Sequence, residues 1–200
     1  KQTIFSFMFL CCASAQPAYV LRQWKVQDGL PQSTVRCIAQ TTDGYIWAGT
    51  WQGLARFDGA RMSVFRSANT PQLLTSNIMS LCADSRGRLW IGTDAGGLVL
   101  YDHGTFRSFD STDGCPAQRI LNIAEDGSGR IWCATEAGII SYDGTTFRRY
   151  TAADGLPATY ANQVLPIPAG NGSTTMYLGF VGTGAIVRVE GAVLRTQEVF

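Results

Sequence analysis

The stretch DGYIWAGTWQGLARFDG, residues 43–59, decides the fold of this chain. Its segment Ile46-Trp47-Ala48-Gly49-Thr50 recurs as LWIGT at 89–93, as IWCAT at 131–135 and more weakly as MYLGF at 176–180. The Trp or Tyr anchors of successive copies are 43, 42 and 45 residues apart. Self-similarity at a fixed period of this size indicates a repeat architecture in which each copy is one structural unit.

Each copy has the same surroundings. An apolar segment and a polar turn with glycine precede it, and two further short segments joined by an Asp-Gly turn follow it. Four short strands per unit, joined by such turns, are typical of antiparallel hairpins. Sheets of this kind cover their faces by stacking around an axis, as in a β-propeller, whose blades take about 40–50 residues each. The sequence therefore predicts an all-β fold, a β-propeller with about four four-stranded blades.

The predicted units cover residues 32–67, 75–110, 117–152 and 160–200 of a propeller region that extends over 16–200. A further outer strand is predicted at 20–24, because Trp24 precedes an Asp-Gly-Leu-Pro tetrapeptide as Tyr150 does. That gives one strand more than a closed four-bladed ring needs. The interpretation is a truncated part of a larger propeller of about seven blades, and the alternative is a complete four-bladed ring. In the fourth unit, Pro166 and Pro168 are expected to interrupt the first strand.

The N-terminus, residues 1–15, is predicted to be a secretory signal peptide. Lys1 precedes a short apolar run, and that run ends in Ala13-Ser14-Ala15, an A-x-A cleavage site before Gln16. The alternative is an N-terminal anchor that is not cleaved. The expected location of the remaining chain is extracytoplasmic, in the periplasm.

Composition and cysteine spacing argue against two functions, nucleic-acid binding and zinc binding. A formal net charge of +1 with 16% charged residues gives no basic surface for nucleic acid. The cysteines after the signal peptide have no C-x-x-C spacing, so no zinc site is predicted. Aligning the repeats places Cys82, Cys115 and Cys133 in slots that other units fill with Ala, Leu or Ile, which indicates buried packing. A disulfide in an oxidising compartment is the open alternative.

The sequence shows no catalytic machinery. His103 is the single histidine, and its place in an Asp-His-Gly turn favours a solvated loop residue over a base or a metal ligand. The recurrent aspartates are interpreted as turn residues that bond nearby backbone N–H groups, not as calcium ligands. No catalytic, cofactor-binding or metal-binding residue and no cofactor is therefore predicted.

The candidate ligand contacts are Trp51 and Gln52. They replace the small and acidic residues that sister units carry at the loop between the second and third strands. The ligand-binding residues of propellers commonly lie on their loops, and an exposed tryptophan can stack on a sugar or a peptide side chain. The alternative is a tryptophan that packs over the edge of its blade.

The repeats resemble the two-component regulator propeller family. The resemblance rests on Asp-Gly-Leu-Pro at 28–31, on DGYIWAGT at 43–50 and on GLARFDG at 53–59, with further copies at 87–102 and 127–143. It covers nearly everything from Trp24 to Pro157 and thins in the fourth unit, where Tyr177 replaces Trp.

The resemblance implies the periplasmic sensor region of a receptor in the bacterial inner membrane. In that family the output is a histidine kinase or, as an alternative, a diguanylate cyclase, and ligands include polysaccharide fragments. A small ligand such as an oligosaccharide, membrane attachment through downstream segments only and a homodimer of the full receptor are therefore expected. The remaining alternatives are a secreted propeller that binds polysaccharide and a secreted lyase or lactonase that cleaves its substrate.

Overall fold

The computed structural model describes residues 21–115, 118–169, 173–183, 185–190 and 193–198, the last range by its backbone only. The predicted signal peptide, residues 1–15, lies outside these residues. The strands are β1 Val35–Gln40, β2 Ile46–Thr50, β3 Gly53–Phe57, β4 Met62–Phe65, β5 Ile78–Ala83, β6 Leu89–Thr93, β7 Leu98–Asp102, β8 Thr105–Phe109, β9 Ile120–Glu125, β10 Ile131–Thr135, β11 Gly138–Tyr142, β12 Phe147–Tyr150, β13 Ala161–Pro168, β14 Thr174–Phe180, β15 Ala185–Glu190 and β16 Val193–Glu198. No helix in the described part of the chain is long and apolar enough to cross a membrane.

Four antiparallel sheets, each of four consecutive strands, confirm the predicted blades. The first strands of successive sheets contact one another, β1 with β5, β5 with β9 and β9 with β13. The first strand of each blade is therefore the innermost one, and the later strands lie progressively farther out. Blades 1 to 4 are named here in chain order, from β1–β4 to β13–β16.

The repeated tryptophans fill the spaces between blades. Trp47, Trp90 and Trp132 are at most 1% exposed. Trp90 belongs to a core cluster that includes Phe109 of its own blade and Tyr142 of blade 3. Because each cluster draws its residues from two adjacent sheets, the hydrophobic effect that stabilises one blade also holds it to the next.

A buried side chain lies in the segment that precedes each blade. In three of these segments a short 3-10 turn ends at a left-handed glycine, as at Gly114 with φ of 85°. The residue after this glycine is Leu30, Cys115 or Leu156, each at most 9% exposed. The linker between blades 1 and 2 lacks the motif, and Leu73, 0% exposed, fills the slot. Cys115 thus packs as the alignment predicted, and no disulfide joins the cysteines of the described residues.

Two strand predictions differ from the structure. Residues 21–25 form no strand, and Trp24 instead packs edge-on against Phe57 with ring centroids 5.1 Å apart. An outer strand needs a third strand to pair with, and each of the four sheets already has its own fourth strand. Pro166 and Pro168 do not interrupt β13, where they pair in register with Met176 and Thr174. An innermost strand has one edge without a sheet partner, and proline is tolerated on such an edge because it lacks an N–H donor.

The turn aspartates have two separate tasks. Asp84 and Asp126, between the first and second strands, accept hydrogen bonds from the indole nitrogens of Trp90 and Trp132 at 2.8 and 2.7 Å. In blade 1 the Thr41 hydroxyl accepts the Trp47 indole bond at 3.0 Å. Satisfying a buried indole N–H avoids the cost of leaving it unpaired. The sequence predicted that the aspartates bond the turn backbone, but not that Asp84 and Asp126 also bond the tryptophans.

The other aspartates stabilise the outer hairpins. Asp143 accepts backbone N–H groups of Thr146 at 2.8 Å and of Thr145 at 2.9 Å. These bonds, that of Thr146 foremost, hold the pKa of Asp143 well below its ordinary value. A carboxylate with a depressed folded-state pKa contributes stability that is complete above its unfolded pKa of about 3.9 and is lost as the pH falls toward the folded pKa.

Asp143→Asn is therefore expected to make stability less sensitive to acid. Between about pH 5 and pH 2 the wild-type free energy of unfolding should fall more steeply than that of the variant, because only the wild type must protonate this carboxylate. Urea titrations at several pH values measure the slope. Each protein is referred to its own value near pH 6, where an aspartate is ionised in both states. Equal slopes in the two proteins would contradict the assignment.

Candidate functional site

One end of every blade carries both the turn between its second and third strands and the linker that connects it to a neighbouring blade. We call this end the linker rim. It is made of the turns 50–53, 93–97, 135–138 and 180–183 and the linkers 66–77, 110–119 and 151–160. The rim follows from antiparallel pairing, because alternate connections of a meander fall at the same end of the sheet.

The rim turns share one internal construction in blades 1 to 3. The hydroxyls of Thr50, Thr93 and Thr135 donate to the carbonyls of Gly53, Gly97 and Gly138 at 2.8, 2.9 and 2.8 Å. The three threonines are at most 1% exposed. A constant buried bond therefore supports each turn, whereas the residue that follows the threonine changes from Trp51 to Asp94 and Glu136. A recurrent scaffold that presents variable side chains is suited to recognition.

Trp51 is exposed on this rim. The residue is 55% exposed, so much of its surface is open to solvent. The guanidinium of Arg36 lies 5.6 Å from the Trp51 ring centroid, within the range of a cation–π contact. Arg36 occupies a β-bulge at the start of β1, and bulges commonly re-aim a side chain.

The backbone of Gln52 is fixed by two hydrogen bonds. Its N–H donates to the Thr50 hydroxyl at 3.1 Å, and its carbonyl accepts the Nε of Arg66 at 2.8 Å. The turn thus has a fixed main chain. Trp51 and Gln52 lie side by side where the sequence predicted a ligand, and their role as ligand contacts stays a prediction.

Blades 2 to 4 place an ionic cluster on the same rim. Arg119, just before β9, bonds Asp94 through Nε and Glu136 through Nη1, the latter at 2.8 Å. Asn77 donates to the other oxygen of Asp94 at 3.0 Å. The hydrogen bond to Asp94 contributes most to raising the pKa of Arg119, with smaller contributions from Glu136 and Tyr160. Residues from two turns and three linkers are thereby tied together.

Sequence reasoning missed this cluster. The sequence indicated Asp94 and Glu136 only as the acidic residues that the Trp51 turn lacks, and it predicted no role for Arg119 or Tyr160. A signal was available, because Asn77, Arg119 and Tyr160 each directly precede an innermost strand and differ in chemistry. A repeat position that varies beside a constant strand indicates a residue of the linker rim. The ion pairs of Arg119 with Asp94 and Glu136, however, form only because neighbouring blades are in contact.

The histidine and the cysteines are the remaining candidates for catalytic or metal-binding chemistry. His103 is exposed in the tight turn between β7 and β8, at the end opposite the linker rim, and its Nδ1 lies 2.5 Å from Asp102. Within the described ranges, no three His, Cys, Asp or Glu side chains are placed to hold a metal ion. Burial raises the pKa values of Cys37, Cys82 and Cys115 to about 11, so these thiols are poor nucleophiles.

Known proteins share both the repeat and the fold. The two component regulator propeller family matches residues 29–52 and 72–95. "Histidine kinase P4" of Formosa agariphila is 36% identical over 73 residues, which are 36% of this chain and 5% of that protein. The extracellular domain assigned to a hybrid two component system of B. thetaiotaomicron superposes with a TM-score of 0.69 at 23% identity, covering 80% of this chain and 22% of that one. Virginiamycin B lyase from Staphylococcus aureus gives a TM-score of 0.64 at 14% identity over 82% of this chain and 55% of that one.

The stacked four-stranded blades define a β-propeller. Within that class, residues 29–52 and 72–95 match the repeat of the two component regulator propeller family, as the sequence predicted. The likenesses to the B. thetaiotaomicron domain and to the lyase are likenesses of fold. This chain spans only a small part of the kinase and of the B. thetaiotaomicron domain.

Proposed function

We propose that this chain is the extracytoplasmic, ligand-sensing propeller of a membrane signalling receptor, and that it binds its ligand on the linker rim around Trp51 and Gln52. The observation that carries the proposal is a two component regulator repeat whose rim turns keep one buried construction and vary at the outward residue. A sensor needs a rigid frame and an adaptable surface, and this arrangement supplies both.

The proposed output is a histidine kinase in the inner membrane, reached through segments downstream of the propeller. The sequence similarity to a histidine kinase supports this choice over a diguanylate cyclase. Ligand binding would act by favouring one of two receptor conformations to which the rim binds unequally. Sequencing the gene beyond Phe200 tests the output. A kinase domain after a span of about 20 apolar residues supports the receptor, and a stop codon shortly after the blades would leave a secreted binding propeller.

The proposed ligand is an oligosaccharide, because an exposed indole presents an apolar face that can stack on a sugar ring while neighbouring amides bond its hydroxyls. Trp51→Ala is expected to weaken binding by about tenfold or more, the effect of losing one aromatic stacking contact and its buried area. Isothermal titration calorimetry with galactotetraose and tetragalacturonate measures the change.

Ile46→Ala is the matched control. Ile46 is 41% exposed and lies at the opposite end of β2, so its loss removes exposed apolar area without touching the rim. Affinity should be unchanged in this variant. An equal loss of affinity in both variants would indicate a general defect of blade 1 and would contradict a site at Trp51.

A further inference from the structure

Two arginines flank the Trp51 turn on opposite sides. Arg36, at the bulge of the innermost strand, lies over the Trp51 ring at 5.6 Å. Arg66 directly follows the outermost strand, and its Nε donates to the Gln52 carbonyl at 2.8 Å. Both side chains belong to exposed residues. The contacts orient the two guanidiniums and leave most of their donors directed to solvent, since a guanidinium carries five N–H groups.

The charge of these two arginines is not balanced locally. The ion pairs of the described residues include neither Arg36 nor Arg66. Elsewhere on the same rim, Arg119 is paired with two carboxylates, those of Asp94 and Glu136. The rim is therefore polarised, with a cationic section at blade 1 and an acid-paired section at blades 2 and 3.

Blade 3 provides an internal comparison. Arg149 repeats the contact of Arg66, because its Nη2 donates to the Ala137 carbonyl at 3.0 Å. The residue before Ala137 is Glu136, whereas the residue before Gln52 is Trp51. Capping the turn therefore explains an arginine that reaches this carbonyl from the outermost strand or just after it. It does not explain why blade 1 replaces the acid with an aromatic ring and adds a second cation at Arg36.

We propose that Arg36, Trp51 and Arg66 form an anion-binding subsite for an acidic sugar, that is, a ring compound that carries a carboxylate or a sulfate ester. The inference rests on the proposed ligand site and specifies its ligand class. The sugar ring stacks on Trp51, and its anionic group accepts hydrogen bonds from Arg36. Arg66 adds to the positive potential beside the turn.

The chemistry favours an anion over a neutral ligand. Guanidinium groups form strong, directional hydrogen bonds with carboxylates and sulfates, and stacking on an aromatic ring orients the guanidinium before the ligand arrives. Because the subsite is exposed, its electrostatic part is screened by salt. Binding of an acidic sugar should therefore weaken as the ionic strength rises, whereas stacking of a neutral sugar on Trp51 should not.

The test compares three probes on the purified protein by isothermal titration calorimetry. The probes are tetragalacturonate, a sulfated galactan tetrasaccharide and neutral galactotetraose, each at about 0.05 M and about 0.3 M NaCl. We expect at least one acidic probe to bind about tenfold more tightly than galactotetraose, and this advantage to shrink at the higher salt. Arg36→Gln should remove most of the advantage, and Arg66→Gln a smaller part. Which acidic probe binds more tightly distinguishes a carboxylate ligand from a sulfate ligand.

Arg61→Gln is the matched control, because Arg61 lies in the outer hairpin of blade 1 at the opposite end from the rim. It should retain the wild-type preference. If galactotetraose binds as tightly as the acidic probes and only Trp51→Ala weakens it, the anion subsite is wrong and the proposed sugar sensor stands. If none of the three probes binds, the anion subsite and the proposed sugar-binding site are both wrong. An equal loss of preference in Arg61→Gln and Arg36→Gln would show a nonspecific charge effect and overturn the subsite.

Discussion

Replacing Trp90 by alanine is expected to lower the free energy of unfolding by about 3–5 kcal/mol, the range for removing a fully buried tryptophan. Trp90 is 0% exposed. Its ring stacks on Phe109 at 5.8 Å and contacts Tyr142 of blade 3 at 5.7 Å. Its indole nitrogen donates to Asp84, whose side chain is 0% exposed. The substitution removes packing on both sides of a blade boundary and one buried hydrogen bond.

Urea unfolding followed by circular dichroism measures this loss. Trp51→Ala is the control, since Trp51 is the same residue type in the same repeat family but is 55% exposed, and exposed substitutions usually change stability by less than about 0.5 kcal/mol. A similar loss in both variants would mean that burial between blades is not what stabilises the fold.

Gly92→Ala is expected to destabilise the protein by about 1–3 kcal/mol through overpacking between blades 2 and 3. A Cβ atom at this position would meet the Ser80 hydroxyl of its own blade, and it would lie 2.7 Å from the Cγ2 of Ile120 and 2.9 Å from its Cβ. Ile120 opens the innermost strand of the next blade and is itself fully buried. The glycine is therefore needed for the close approach of the two sheets, and its replacement should force them apart.

Gly179→Ala is the matched control within the same chain. Gly179 holds the equivalent place in β14, two residues after Tyr177, but a Cβ there would meet nothing closer than the Gln163 side chain at 3.3 Å. This variant should be close to neutral in the same urea titrations. Equal destabilisation by both substitutions would contradict the assignment of Gly92 to the contact between blades.

The blades were predictable because their determinants are local and repeated. The Trp and Gly spacing, the period-two strands and the Asp-Gly turns each constrain a few neighbouring residues, and several copies reinforce the interpretation. The same logic placed Cys115 in the slot of Leu30 and Leu156. It failed at the described residues 21–24, because a strand there would need a partner sheet. It also failed at Pro166 and Pro168, because the unpaired inner edge of β13 tolerates residues that a central strand would reject.

The rim was predictable only in part. Trp51 and Gln52 stood out because they break a repeat, and the structure places Trp51 in solvent. The ionic cluster joins Arg119 to residues 25 positions before it and 17 positions after it, across two blades. The contact between Arg36 and Trp51 depends on a bulge in β1, which directs the Arg36 side chain toward the turn between β2 and β3. Short-range pattern thus determined the propeller blades by itself, whereas the charge distribution of the rim was decided by tertiary structure, because side chains on separate loops meet only once the blades have stacked.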